Sequence, residues 1–182
     1  MAKRPNIVFM IADDHRHSDI HALHHNPVQT PTFDRLAAEG TAFKNTHIMG
    51  GWHRAVCAPS RACMLTGGAV FHAVVNEPEP QFDDVMKNHC SVNQHMAIMP
   101  ETFRKSGYNT FAIGKWHNDM QTFKRGFSGG DALFFGGMSE PHQIPLHTFN
   151  KDGNYPRETA VVVDEHATTR FCNAGLDFIE NS

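Results

Sequence analysis

The sequence predicts an α/β fold, with a mainly parallel sheet flanked by helices. Residues 6–12 form a continuous apolar, β-branched run, which is typical of a strand buried on both faces. A helix-like segment at 100–106, ended by a glycine, is followed by a strand-like segment at 108–113. Apolar residues recur at helical spacing over 160–180, which predicts an amphipathic helix able to cover a sheet.

The intervening elements follow from local patterns. Residues 30–40 begin with a capping Thr30 and Pro31 and close with Gly40, which predicts a short helix. Residues 121–158 contain many Gly, Pro and His with little periodicity, and we expect long loops that can include a hairpin.

Composition excludes several classes of protein. The chain has 182 residues, which corresponds to one domain and a little over at roughly 150 residues per domain. Its 40% hydrophobic residues indicate a globular protein rather than a disordered one. Sixteen Lys and Arg against nineteen Asp and Glu give a net charge of -3, which argues against nucleic acid as a partner. No apolar run approaches the roughly 18 residues that span a bilayer, so we expect no membrane insertion.

The cysteines and the two ends of the sequence predict where the protein is located and how much of a domain these residues form. The four cysteines are widely spread and no cleavable signal precedes the first apolar run, so we expect reduced thiols and a cytoplasmic protein. The helix at 160–180 has no strand after it. Because such a helix needs a sheet to cover, we expect the sequence to be the amino-terminal portion of a larger domain.

Acidic and histidine-rich positions suggest metal chemistry. Asp13 and Asp14 fall at the carboxyl end of the first predicted strand, the edge where ligands bind in open α/β sheets. The alternative is a solvated turn. Among the fourteen histidines, His21 and His25 have the i, i+4 spacing that can bind zinc or nickel on a helix. A surface loop and short helix with solvated histidines is the preferred interpretation.

The run C-A-P-S-R-A-C-M-L-T-G, residues 57–67, is the most informative. Pro59 fits the first turn of a helix, which places Cys57 just ahead of an amino terminus that favours anions and acidifies a thiol. The alternative is a cysteine packed beside a short helix. Cys63 is interpreted as a buried thiol on the same helix.

Further along the chain, Lys115 and His117 lie two residues apart on an extended segment. Residues i and i+2 of such a segment point the same way, which leaves Trp116 facing the core. The alternative here is a salt-bridged lysine and a hydrogen-bonded histidine.

Four motifs in order resemble the type I sulfatases. Residues 57–67 resemble the family signature, C-x-P-S-R followed by L-T-G. P-N-I-V-F-M-I-A-D-D at 5–14, T-P-T-F-D-R-L-A-A-E-G at 30–40 and G-K-W-H at 114–117 resemble three further motifs. The resemblance implies an alkaline-phosphatase-like fold and hydrolysis of a sulfate ester of a small molecule or saccharide. Residues 1–182 would then be the amino-terminal part of the catalytic domain.

The resemblance also implies a modified nucleophile and a cation. In type I sulfatases a formylglycine-generating enzyme oxidises the matching cysteine to formylglycine, whose hydrated aldehyde attacks sulfur while a divalent cation, usually Ca²⁺, polarises the sulfate oxygens. The residues with implied catalytic roles are Cys57, Arg61, Lys115 and His117. The residues with implied metal contacts are Asp13, Asp14 and Cys57.

The sequence departs from the family pattern in two places. Gly68, Ala69 and Val70 follow L-T-G, where the family usually has an arginine. The family's remaining metal and sulfate ligands come from its second half, so we expect residues 1–182 alone to be inactive. Two alternatives stay open: a phosphonate or phosphodiester hydrolase of the same superfamily, and a non-catalytic, metal-binding remnant.

Overall fold

The computed structural model describes residues 4–24, 26–51, 56–75 and 91–182. They divide into two compact units between Ile48 and Met49. Together they form an α/β structure of helices and three two-stranded sheets. In the part of the chain that is described, no helix is long and apolar enough to cross a membrane.

The first unit is built from short helices. It contains a 3-10 turn at His17–Asp19, helix α1 at His21–His24 and helix α2 at Pro31–Glu39. The buried strand predicted at 6–12 is not formed, and the side chains from Ile7 to Ile11 are 44% to 73% exposed. A strand with two apolar faces is buried only where other strands and helices cover it, and no described strand pairs with this run.

Helix α2 confirms the prediction for residues 30–40. Thr30 is its N-cap residue, Pro31 is its first residue and Gly40 follows its last, but the Thr30 side chain makes no capping hydrogen bond to the helix backbone. The Thr30 hydroxyl donates to Asp34 Oδ1 at 2.8 Å and accepts a hydrogen bond from the backbone N–H of His21 at 2.9 Å. The threonine therefore links α1 to α2.

The second unit carries the remaining helices and all the described strands. In chain order they are α3 Cys57–Thr66, α4 Val70–Ala73, β1 Val74–Val75, β2 Ser91–Val92, α5 Met99–Lys105, β3 Phe111–Lys115, α6 Met120–Gly126, β4 Gly129–Phe134, β5 Pro145–Leu146, β6 Val161–Val162 and α7 Ala167–Glu180. Strands β3 and β4 are parallel, whereas β1–β2 and β5–β6 are antiparallel pairs. A single, mainly parallel sheet stays a prediction.

Helices cover both faces of the β3–β4 pair. Successive side chains of a strand point to opposite faces, and those at the end of β4 divide accordingly. Leu133 and Phe135 join the core that includes α3 and α6, while Ala132 and Phe134 join a second core with Ala174 of α7. The result is a helix–sheet–helix arrangement around a β3–α6–β4 crossover.

A β-bulge shapes the carboxyl end of this pair. Ile113 pairs with Asp131 but Gly114 pairs with Leu133, so Ala132 is the extra residue, with φ +48°. Gly114 has φ +79°, and a Cβ there would lie 3.2 Å from the Phe171 ring. Bulges bend a strand and redirect the side chains that follow. This one adjusts the position of Lys115, the last residue of β3.

Two regions differ from the sequence prediction. Residues 121–158 are not simply loops, because they contain most of α6 and all of β4. Helix α6 has only seven residues, too few for a helical period to stand out. Strand β4 begins with two glycines, which are more typical of a turn than of a strand.

The last helix begins later than predicted, and the strand before α6 is shifted. Residues 161 and 162 pair with β5 instead of joining α7. Helix α7 begins at Ala167, and His166 caps it, because its Nδ1 accepts a hydrogen bond from the Thr168 N–H at 3.3 Å. The strand predicted at 108–113 runs from Phe111 to Lys115, because the positive φ of Gly114 lets the strand continue through the bulge.

Phe123 is expected to be a main determinant of stability in the second unit. Its side chain is 0% exposed and contacts the rings of Trp116, Phe127 and Phe135 at centroid distances of 5.0 to 5.3 Å. Phe123→Ala should therefore lower the free energy of unfolding by about 3–5 kcal/mol in urea denaturation. The control is Phe71→Ala, because Phe71 is 72% exposed. Equal losses for the two variants would contradict this assignment of the core.

Candidate active site

Helix α3 places the two signature residues on one face. Cys57 is its first residue and Arg61 follows one turn later, and residues four apart share a helix face. Pro59 lies in the first turn, where its missing N–H leaves no helical hydrogen bond unmade. Ala58 and Ala62 are buried in the core, which anchors the helix. Cys57 itself is partly exposed.

Arg61 joins α3 to the end of β3. Its side chain is 8% exposed, and Nη1 donates to the backbone carbonyl of Lys115 at 2.6 Å. A buried guanidinium requires acceptors, and a hydrogen bond from a charged donor is stronger than a neutral one. The contact brings two residues together that are 54 apart in the sequence.

Lys115, Trp116 and His117 each make a different contact at the end of β3. Lys115 Nζ donates to the Gly137 carbonyl at 2.7 Å. Trp116 is 7% exposed and its Nε1 donates to the Asp119 carbonyl at 2.9 Å, which confirms that it faces the core. His117 is equally buried and has φ +54°, so the extended alternation predicted for these residues stops there.

Gly137 lies against both Lys115 and His117. It accepts the lysine hydrogen bond, and a Cβ built on it would lie 2.5 Å from His117 Nε2. The lysine ammonium group and the histidine ring therefore both contact this glycine, but the left-handed conformation of His117 departs from the strand alternation that the sequence predicts. That the two residues flank Cys57 stays a prediction.

Asp119 is a structural residue that the sequence analysis missed. It is 4% exposed, and its carboxylate accepts hydrogen bonds from Val92 N at 2.8 Å, Thr122 N at 2.6 Å and Gln94 Nε2 at 3.1 Å. It thereby caps α6 and fixes the loop that carries His117. A capping aspartate directly before an otherwise weak helical pattern was the signal for it.

Cys63 has the environment of a structural thiol. It lies on α3, packed against the core, and burial raises the pKa of its thiol. A raised pKa keeps the thiol protonated, and the thiolate is the nucleophilic form. The partial burial agrees with the structural role predicted for Cys63.

The two aspartates belong to the first unit. Asp13 and Asp14 form an exposed turn after residues 4–12, and Asp14 has φ +54°. Their carboxylates are hard oxygen donors of the kind that Ca²⁺ takes. Among the described residues no group of three or more His, Cys, Asp or Glu could hold a metal ion. That the aspartates share a site with Cys57 stays a prediction.

The histidine-rich segment forms the short helical elements of the preferred interpretation, but His21 and His24 are only partly exposed rather than fully solvated. His17 lies on the 3-10 turn, and His21 and His24 lie on α1. His21 Nδ1 is 2.6 Å from the Asn26 carbonyl oxygen. His25, the other half of the zinc or nickel hypothesis, is outside the described residues, so that pair stays untested.

Comparison with known proteins places this geometry in a family. The profile of the sulfatase family matches residues 5–182, which is nearly the whole chain. The chain belongs to the sulfatase family. The matched range includes all four motifs and every candidate site residue, and the match supports the α/β architecture.

Several relatives of this sulfatase chain are much longer than it is. An N-acetylglucosamine-6-O-sulfatase of Bacteroides thetaiotaomicron is 32% identical over 179 residues, which cover 98% of this chain and 28% of that protein. Mouse Arylsulfatase J is 30% identical over 74% of the chain and 21% of its own length. Mouse Arylsulfatase G is 32% identical over 73% and 24%. The chain thus spans less than a third of each of these relatives.

Proposed function

We propose that the chain is the nucleophile-bearing part of a sulfatase that hydrolyses a sulfate ester, with Cys57 as the precursor of formylglycine. The observation that carries the proposal is the junction of α3 with β3. The helix that begins at Cys57 is hydrogen-bonded through Arg61 to Lys115, so the signature motif and G-K-W-H motif meet.

Arg61 and Lys115 supply fixed positive charge beside the nucleophile position. Arg61 is buried and Lys115 is partly buried, and charges interact more strongly there than in water. Hydrogen-bond donors held in place before reaction stabilise the negative charge that develops on the transferred group. In this proposal Arg61 orients the residue at position 57, while Lys115 and His117 flank it and bind the sulfate group.

Formylglycine at position 57 would supply two hydroxyl groups in its hydrated form, one to attack sulfur and one whose deprotonation releases sulfate. A formylglycine-generating enzyme is the partner that this modification requires. Since Cys57 is partly exposed at the beginning of α3, the side chain that is modified also remains accessible to a substrate.

A calcium ion is the proposed cation, and it would polarise the sulfate oxygens. Asp13 and Asp14 are the proposed protein ligands, together with the modified residue 57. Because Ca²⁺ takes about six to eight oxygen ligands, these three residues fill only part of its coordination shell. The other donors belong, in this proposal, to the portion of a longer sulfatase that this chain does not span, and residues 1–182 alone should bind calcium weakly and show no appreciable turnover.

The proposed substrate is a sulfate ester of a small molecule or saccharide. The printed name of the Bacteroides relative contains a sulfated amino sugar, and the sequence similarity to that protein extends over almost the whole chain. A saccharide sulfate is therefore the first natural substrate class to test.

The proposal is tested by paired aryl sulfate and aryl phosphonate substrates. The protein should be made from its longest natural reading frame, together with a formylglycine-generating enzyme and calcium. We expect release of sulfate with a higher kcat/KM for the aryl sulfate. Preferential cleavage of the phosphonate would replace the proposal with a phosphonate hydrolase, and calcium binding without either cleavage would indicate a non-catalytic relative.

A further inference from the structure

The turn after β4 contacts two of the residues proposed to flank the nucleophile. The carbonyl of Gly137 accepts the hydrogen bond from Lys115 Nζ at 2.7 Å. The Cα of the same residue faces the His117 ring, because an added Cβ would lie 2.5 Å from Nε2 and 2.8 Å from Cε1. Gly137 is therefore adjacent to both functional side chains at once.

The contact with His117 is too close for any other residue. Real Cβ atoms essentially never approach a heavy atom within 3.0 Å, so a side chain at position 137 would displace the imidazole. His117 is only 7% exposed, so a displaced ring would have to move within the protein interior. The φ of Gly137 is outside the left-handed region, so the constraint comes from the ring and not from the backbone.

We propose that Gly137 is a positioning residue of the sulfatase site. Its carbonyl sets the direction of the Lys115 ammonium group, and its missing side chain makes room for the His117 imidazole. This inference rests on the proposed function. Groups that act together on one reacting centre must be held to within about 0.5 Å of the productive geometry, and the same glycine contacts both of these.

The neighbouring glycine has a different role. A Cβ on Gly136 would lie 2.6 Å from the Phe134 ring, so glycine there serves the packing of β4. Gly175 on α7 provides a better control, because a Cβ there would make an ordinary contact of 3.7 Å with Ile113 Cδ1. Alanine at position 175 adds the same methyl group without touching the site.

The first experiment compares Gly137→Ala with Gly175→Ala. In the protein made from its longest natural reading frame, we expect Gly137→Ala to lower kcat for an aryl sulfate about 100-fold, with a much smaller change in KM. In residues 1–182, the NMR signal of the His117 Cε1–H group should shift in Gly137→Ala and stay in place in Gly175→Ala. Unchanged kcat and an unchanged His117 signal in Gly137→Ala would overturn the proposal.

A double-mutant cycle covers the case in which Gly137→Ala folds poorly. The free energy of unfolding is measured for Gly137→Ala alone and in the background His117→Ala, where the obstructing ring is gone. We expect the alanine at 137 to be much less destabilising in that background. An equal loss in both backgrounds, or failure of both to fold, would overturn the contact with His117.

The two proposals fail in different ways. A wild-type protein that cleaves no sulfate ester would overturn the proposed function. The role of Gly137 in catalysis would then be overturned as well. The His117 signal and the unfolding cycle would still decide whether Gly137 holds the imidazole. An active wild-type protein with an insensitive Gly137→Ala variant would overturn the further inference alone.

Discussion

Cys57→Ser is expected to abolish sulfate-ester hydrolysis while leaving the fold intact. Serine is nearly isosteric with cysteine, and Cys57 is partly exposed at the first position of α3, outside the buried core. Without the cysteine, an aerobic formylglycine-generating enzyme has no thiol to oxidise. Loss of the nucleophile should lower kcat by about 1000-fold or more. The measurement is aryl sulfate turnover together with the unfolding curve.

Mass spectrometry of the wild-type chain tests whether Cys57 is converted to formylglycine. Trypsin cleaves after Arg54 and Arg61, which yields the peptide of residues 55–61. When the chain is made with a formylglycine-generating enzyme, we expect that peptide to carry an aldehyde where the thiol was. The control for Cys57→Ser is Cys172→Ser. Because Cys172 is exposed on α7, that substitution should leave aryl sulfate turnover unchanged. An active protein whose peptide contains only unmodified cysteine would contradict the assignment.

Local signals explain which helices the sequence could predict. Thr30, Pro31 and Gly40 mark the ends of α2 through backbone preferences that need no distant partner. Pro59 predicts the first turn of α3 in the same way, and in the structure Gly67 ends that helix with φ +67°. Such features depend on a few neighbouring residues and can be recognised in one sequence.

Strands depend on partners that are often far away in the chain. The run from Ile7 to Ile11 has the composition of a buried strand, yet its side chains are exposed where no described strand pairs with it. Conversely, β4 begins with Gly129 and Gly130 and forms because β3 lies beside it. Apolar composition indicates that a segment can form a buried strand, but the strand forms only where a second strand pairs with it.

The candidate site also contains both kinds of feature. The resemblance to the family signature is enough to predict roles for Cys57 and Arg61, and those roles stay predictions. The positioning by Gly137 could not be predicted, because its bond to Lys115 joins residues 22 apart and depends on where β4 ends. The φ of +54° at His117 could not be predicted either, because a positive φ is uncommon for any residue other than glycine.

Lys115→Ala is expected to lower kcat for a sulfate ester about 100- to 1000-fold, the usual effect of losing one donor that stabilises developing negative charge. The substitution removes the ammonium group but keeps the backbone carbonyl that accepts the Arg61 hydrogen bond at 2.6 Å. Helix α3 should therefore stay joined to β3. Loss of the bond to the Gly137 carbonyl should lower the free energy of unfolding by about 1 kcal/mol.

Lys124→Ala is the matched control for this loss. Lys124 lies on α6, and its Nζ donates to the Asp152 carbonyl at 3.0 Å on the exposed surface, so the variant removes the same kind of lysine-to-carbonyl bond. A lysine with a purely structural role would behave alike at both positions. If Lys115→Ala retained as much aryl sulfate turnover as Lys124→Ala, the ammonium of Lys115 would take no part in the reaction, and the contact with Gly137 would be a packing feature of the β4 turn.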